Sequence, residues 1–302
     1  MTMPGDIGII DCMLGIPETG DRSGWYESFR PLLKDSQSRD QFKMPAQYMF
    51  KDIPDLGRDT GPGAGTGKAT PADFVHWTVG QMDRFNIRKA LVGCNEDATT
   101  EAARTLYPDR FFFDAPCNPN NGMDEVRRIR RLHRDYGIKA ISVFPSGTVP
   151  QVAIDHKYMF PLYAVAVELD IPILLNVGIP GPRIPMETQK VEHLDEVCWF
   201  FPDLKVVMRH GAEPWEALAV KLMLKYPNLY YSTSAFAPKH YPKAIIDYAN
   251  TRGADKIIYA GYFPMGLSLD RIFADMPNVP FKPDVWPKFL AGNARRLFNL
   301  ED

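Results

Sequence analysis

The chain has few cysteines, no long apolar run and no excess of either charge, and each lack removes a class of function. Its 302 residues include four cysteines, Cys12, Cys94, Cys117 and Cys198, scattered without a CxxC pair. Neither a disulfide framework nor a cysteine zinc site is expected, and the thiols read as reduced, mostly in the core. Lys plus Arg number 35 against 37 Asp plus Glu, a formal charge of −2. Nucleic acid is therefore not an expected partner, because binding a phosphate backbone needs a dense positive field. No stretch approaches the roughly 20 apolar residues of a spanning helix, so no membrane partner is expected. The opening residues MTMPGDIGIID have no basic region followed by an apolar core, which predicts a cytoplasmic location. No Gly-rich dinucleotide fingerprint follows the first apolar run.

What the chain does have is rhythm. Eight short apolar runs recur: GIIDCMLGI, IRKALVGC, RFFFDAPCN, IKAISVFPS, IPILLNVG, LKVVMRHG, LYYSTSAF and KIIYAGYFP. Helical candidates lie between them, around Gln81 and over 98–107, 124–136, 158–169, 187–201, 214–226 and 242–253. Runs apolar on both faces, alternating with amphipathic stretches, call for parallel strands joined by crossover helices. Eight such units predict an α/β fold of the (β/α)8 TIM-barrel type, one domain over 1–302, with an open doubly wound sheet as the alternative.

One interval breaks the rhythm. Residues 16–87 are expected to form a long insertion after the first strand, a lid over the barrel mouth, because loops that come after strands build the functional face. Within it, GPGAGTGK invites a phosphate-loop reading. The motif fails, since Pro62 stands where the first Gly belongs and Ala69 where Ser or Thr must follow Lys68. A hinge or mobile lid segment fits better. The run DEVRRIRRLHRDYG places Arg127, Arg128, Arg130, Arg131 and Arg134 on one helix beside Asp124, Glu125 and Asp135. That is the pattern of a solvated outer helix, the alternative being a docking patch for a phosphate-bearing substrate tail.

Catalytic side chains of such barrels sit at the C-terminal ends of the strands. This selects Asp11, Cys12, Met13 and Gly15 after the first strand and Cys117, Asn118 and Asn120 after the third. Phe144 and Ser146 follow the fourth, Asn176 the fifth, and Arg209, His210 and Glu213 the sixth. The seventh offers Ser232, Thr233 and Ser234 and then Lys239 and His240, and the eighth ends at Tyr262.

The same segments resemble the amidohydrolase superfamily, in the branch of aminocarboxymuconate-semialdehyde, resorcylate and carboxyvanillate decarboxylases. IIDCMLGI stands in place of the opening ID-x-H-x-H strand, PILLNVG where the fifth strand carries a histidine, and LKVVMRHGAEPW for the sixth-strand His-Gly segment. GADKIIYAGYFPMG replaces the Ser-Asp-Tyr-Pro segment, and FLAGNARRLFNL is similar to the terminal helix. Where the resemblance implies metal ligands, this chain has Met13, Gly15, Asn176, His210 and Tyr262, so only one histidine survives. Catalytic zinc needs three ligands of His, Asp, Glu or Cys type. The expectation is a degenerate metal site and no cofactor, with Cys12 the one residue able to rescue part of a ligand set.

His210 is the expected general acid or base, with Glu213 orienting it or activating water and Asn176 and Tyr262 donating to a carbonyl oxygen. Cys12, Met13, Tyr48, Lys51, Asn118, Ser234 and His240 are candidate substrate-binding residues. Each has a plainer reading. His210 serves equally as a relic of the fold, Asn176 as a turn residue, Tyr262 as filler, and Glu213 as a cap for the helix after Pro214. Lys51 and His240 suit loop surface, Cys12 as a nucleophile lacks a partner, and His76, His133, His156 and His193 fall on helices or connections. The resemblance to amidohydrolase-type β-ketoacyl-CoA hydrolases of aromatic breakdown implies a metal-independent hydrolase acting on a carbonyl substrate. A CoA thioester is then a substrate class, with Trp25, Tyr26, Phe29, Phe42, Tyr48 and Phe50 lining the acyl pocket. A decarboxylase of an aromatic or unsaturated acid is the alternative, and a non-catalytic ligand-binding barrel the second. A homodimer is a family-level expectation.

Overall fold

Each of the eight apolar runs becomes one strand. The computed structural model describes residues 3–17, 27–41, 61–63, 69–265 and 267–301. In it β1 (Ile9–Asp11), β2 (Ile87–Gly93), β3 (Phe111–Pro116), β4 (Ala140–Val143), β5 (Ile173–Asn176), β6 (Val206–Arg209), β7 (Leu229–Ser232) and β8 (Ile257–Ile258) form one sheet in chain order. Each successive pair, from β1 with β2 to β7 with β8, is parallel. The chain just past β8 returns to the chain just past β1. Cys12 N donates to Tyr259 O at 3.1 Å, Tyr262 N to Met13 O at 3.0 Å and Gly15 N to Phe263 O at 2.7 Å. These bonds close the sheet into a TIM barrel. Among the described residues no helix is long and apolar enough to cross a membrane.

A buried carboxyl clasps the seam. Asp11 Oδ1 accepts from Met13 N at 3.0 Å and from Gly261 N at 2.8 Å. A Cβ at Gly261 would stand 2.6 Å from both Asp11 Oδ2 and Tyr259 Oη, so only glycine lets the strand end approach this closely.

Side chains alternate across a barrel wall. Ile10, Leu91, Phe112, Ala140, Leu174, Val207 and Ile258 share one buried cluster with Ala294, Leu297 and Phe298 of the C-terminal helix. The rings of Phe112 and Phe298 lie 5.3 Å apart, so that helix plugs one end of the barrel interior. Their neighbours along the strands, such as Ile9, Val92, Phe113, Ile141, Leu175 and Met208, pack in the larger cluster with the helices. Burial of each large apolar side chain stabilises by about 1.5–3 kcal/mol.

Within the interval 16–87 the expected helix around Gln81 is present. It is the helix Pro71–Arg84, started by a capping box in which Thr70 and Asp73 bond each other's backbone N–H, with Pro71 in the first turn. Of the remainder, Phe29 and Leu33 are buried against Ile184 beside Phe144, and Asp35 pairs with Arg183 at 2.9 Å. This segment therefore lies on the loops after β4 and β5. Trp25, Tyr26, Phe42, Tyr48, Phe50, Lys51 and most of GPGAGTGK lie outside the described residues.

The arginines of the helix Met123–Tyr136 are all paired. Arg127 meets Asp124, Arg128 meets Glu96 and Glu125, Arg130 meets Glu168, Arg131 meets Glu96 and Arg134 meets Asp135. The docking-patch alternative loses its unpaired cations; the helix is tied to its neighbours.

Candidate active site

Two residues beyond the apolar floor, the inner wall turns polar. Asp114 follows Phe112, Ser142 follows Ala140, Asn176 follows Leu174 and Arg209 follows Val207, while Cys12 after Ile10 and Ala260 after Ile258 stay with the apolar cluster. The change falls at the C-terminal ends of the strands, where barrels of this kind place their chemistry.

Arg209 is the strongest feature of that layer. Only 7% of its surface is exposed, and Asn176 is its register partner on β5. Its nearest counter-charge is Asp114 Oδ2 at 3.8 Å, beyond hydrogen-bond range. Its guanidinium makes no hydrogen bond with any described residue. Burial lowers its pKa, opposed by the charge of Asp114. Arginine starts so high that it remains a cation at neutral pH.

His210 comes directly after it. Its backbone N donates to Ser234 Oγ at 3.2 Å and its Nδ1 lies 3.1 Å from the same oxygen. Ser232 donates to Met208 O at 3.3 Å and lies 3.4 Å from Ser234. With the Ser232 proton committed to the carbonyl, the shorter contact assigns the Ser234 proton to His210 Nδ1, which leaves the ring proton on Nε2. Burial first, then the Arg209 charge, pushes the His210 pKa down to about 3, so the ring is neutral. Its ring and that of Tyr262 pack edge to face with centroids 5.2 Å apart.

The backbone here adopts conformations that side chains rarely tolerate. His210 (φ 66°), Ala212 (φ 59°), Ala235 (φ 71°) and Tyr262 (φ 65°) are all left-handed and cluster beyond β6, β7 and β8. Such strain persists where the fold over-determines it, which is typical of functional rims.

Several expected residues stand elsewhere. Glu213 makes no hydrogen bond to His210. Its carbonyl accepts from Ile179 N at 2.9 Å, and the next helix is Glu216–Lys225 with Trp215 as its N-cap, so Glu213 neither orients the histidine nor caps. Asn118 accepts from Asn120 N at 3.0 Å and caps a short turn. His240 is exposed on its loop. The Tyr262 hydroxyl donates to Met265 Sδ at 3.3 Å, while the half-buried Asn176 side chain makes no hydrogen bond among the described residues. Met13 is half-buried at the barrel seam. Ser234 serves His210. Cys12 is buried, and burial followed by the charge of Asp11 raises its thiol well above the usual range, against the pull of Arg209. The residues that sequence reasoning passed over are Asp114, and Arg209 beyond its place at a strand end. The signal available for both was parity with the apolar residue two positions earlier.

The positions where a metal is implied do not suit one. Among the described residues no group of three or more His, Cys, Asp or Glu could hold a metal ion. A Cβ at Gly15 would lie 3.0 Å from Pro264 Cδ, so a longer side chain there would displace its neighbour. The lone histidine sits beside a fixed cation.

A family model for amidohydrolases matches residues 58–300. The chain belongs to the amidohydrolase family. No curated protein matches it. Solved structures similar to this family member include an uncharacterized TIM-barrel protein from Bordetella bronchiseptica, 23% identical, TM-score 0.70, covering 96% of this chain and 98% of that one. Another is 5-carboxyvanillate decarboxylase from Novosphingobium aromaticivorans, complexed with manganese and a nitrobenzoic acid, 16% identical, TM-score 0.62, covering 99% and 98%. A third is 2,6-dihydroxybenzoate decarboxylase from Rhizobium, 18% identical, TM-score 0.61, covering 98% and 100%. At these identities the likeness speaks for the fold.

Proposed function

We propose that this amidohydrolase is a cytoplasmic lyase that decarboxylates an aromatic or unsaturated carboxylic acid. The observation that carries the reading is a neutral histidine, His210, held by Ser234 next to a buried guanidinium at the strand ends. One group holds a carboxylate and the other moves a proton, the two tasks a decarboxylation requires. The bond from carbon to carboxylate breaks, its electron pair stays on carbon, carbon dioxide leaves, and one proton taken up from solvent fills the vacated place, passed on by His210, which is neutral before and after the step. Named decarboxylases among the similar structures support this choice.

Hydrolysis of an aromatic β-ketoacyl-CoA is less well supported. It asked Glu213 to work with His210 and left the arginine-rich helix to receive a phosphate tail, and neither arrangement is present. The metal-independent character of the site belongs to this proposal, since the ligand positions do not suit a cation.

The test is a panel of hydroxybenzoic and unsaturated dicarboxylic acids in D2O, monitored by carbon dioxide release and by NMR for deuterium at the carbon that lost it. Turnover with one deuterium incorporated is expected, falling about 10²–10⁴-fold in His210→Ala. Cleavage of β-ketoacyl-CoA with no acid turned over would refute the reading.

A further inference from the structure

We infer that Arg209 takes the electrostatic place of a divalent cation in this barrel, so that the site binds a carboxylate monoanion directly on its guanidinium. The inference rests on the carboxylic-acid reading above and deepens it by naming the group that recognises the acid.

The position is central. Arg209 projects from β6 on the inward parity, faces Asp114 across on β3 at 3.8 Å, and lies close enough to Cys12 and Tyr262 for electrostatic coupling. It adjoins His210, the one histidine left at an implied ligand position. A second cation in this space would be repelled by the first.

The chemistry is incomplete without a ligand. A guanidinium offers five N–H donors in a planar fork, and here none is used among the described residues. Groups buried at this depth are ordinarily hydrogen-bonded. Asp114 neutralises the charge without engaging the donors, which leaves the fork open to an acceptor of matching shape. A carboxylate is that acceptor, since its two oxygens meet two parallel N–H groups. The side chain keeps 9% of its surface accessible, so the fork is not sealed off from an entering ligand. Asn176, its register neighbour on β5 and likewise without a hydrogen bond among the described residues, adds an amide at the same height.

Asp114 then has a defined effect. It is the resident counter-charge, and an incoming anion must compete with it. Removing its charge strengthens anion binding, whereas a pair that exists only to hold β3 against β6 would show the opposite effect.

The experiment uses the full chain stripped with chelator, its metal content fixed by elemental analysis, and titrated calorimetrically with benzoate, 2-hydroxybenzoate and the neutral isostere benzamide. Metal-free protein is expected to bind the acids and to bind benzamide at least about 10-fold more weakly. Arg209→Met weakens acid binding by about 100-fold and Arg209→Lys recovers part of it. Asp114→Asn, which keeps the shape of the side chain, tightens acid binding. Acids that bind only after manganese or zinc is added, or as well to Arg209→Met as to the native chain, or no better than benzamide, overturn the inference. Loosened acid binding in Asp114→Asn overturns it as well. Acid binding without turnover leaves this site standing and removes the decarboxylase reading, whereas turnover that demands added metal does the opposite.

Discussion

Replacing Asp11 by Asn should make the protein more stable at pH 8 and leave it little changed near pH 4. The Asp11 side chain is fully buried. Its Oδ1 accepts two backbone N–H groups, but Oδ2 and the adjacent Tyr259 Oη make no hydrogen bond of good geometry. Burial raises its pKa from 3.8 to about 7, against the opposing backbone N–H groups of Gly261 and Met13 and the nearness of the Tyr259 hydroxyl. Between those two values the folded chain keeps a proton that the unfolded chain has released. Stability from this group is therefore full below about pH 4, declines as pH rises toward 7, and stays low above it. Three decades at about 1.4 kcal/mol each give a cost of about 4 kcal/mol at pH 8. Asn keeps the Oδ1 acceptor, offers an N–H to Tyr259 and cannot ionise. With an unfolding entropy of about 2 cal/mol/K per residue, the gap in Tm at pH 8 is about 6 °C. Calorimetric scans of both proteins from pH 4 to 8 read it. A gap that does not change with pH, or a variant less stable at pH 8, would mean that the two backbone donors hold the carboxylate ionised and that burial does not dominate.

Two further perturbations separate the layers of the barrel. Ser234→Ala removes the partner of His210 Nδ1 and should lower kcat about 10-fold or more with little change in KM, read by steady-state kinetics on the acid found in the panel; an unchanged kcat would deny the serine a positioning role. Phe112→Ala empties the floor against Phe298 and should cost about 3–5 kcal/mol in denaturant unfolding while benzoate affinity holds in the folded fraction, and a cost under about 1 kcal/mol would show that the C-terminal plug is not packed on it.

The strands were legible because burial on both faces writes them as unbroken apolar runs, and the crossover helices because one face of each is apolar. Boundaries failed where the helix is irregular. The stretch 187–201, expected as one helix, is two short 3-10 turns and then Leu194–Phe200, and 242–253 ends in a π-helical turn. In the site, His210 was legible because it is the only histidine at a strand end within an apolar run. Glu213, three residues on, makes no hydrogen bond to His210, because the left-handed Gly211 (φ 89°) and Ala212 turn the chain between them. Arg209 looks in one dimension like a charge terminating a strand. Only closure of the barrel sets it opposite Asp114, 95 positions earlier, and no local pattern carries that pairing.

The charges of the inner wall lead to a last expectation. Arg209 and Asp114 balance one another, so an arriving carboxylate brings the layer to a net negative charge. The His210 pKa is low in the ligand-free protein first through burial and then through the Arg209 cation. An anion seated on that cation cancels the second cause and adds an attraction for a proton, so the His210 pKa should rise as the acid binds, while burial, the larger cause, still holds it down. Decarboxylation of a carboxylate consumes one proton as carbon dioxide leaves, so uptake on binding would load the ring with the proton that the carbon later receives. Titrating benzoate calorimetrically in buffers of different ionisation enthalpy at pH 7 measures the uptake directly. A fractional proton uptake per acid, growing as the pH is lowered and lost in His210→Ala, is expected. Binding with no linked proton in the native chain would place the donor elsewhere and leave His210 as a neutral hydrogen-bonding group.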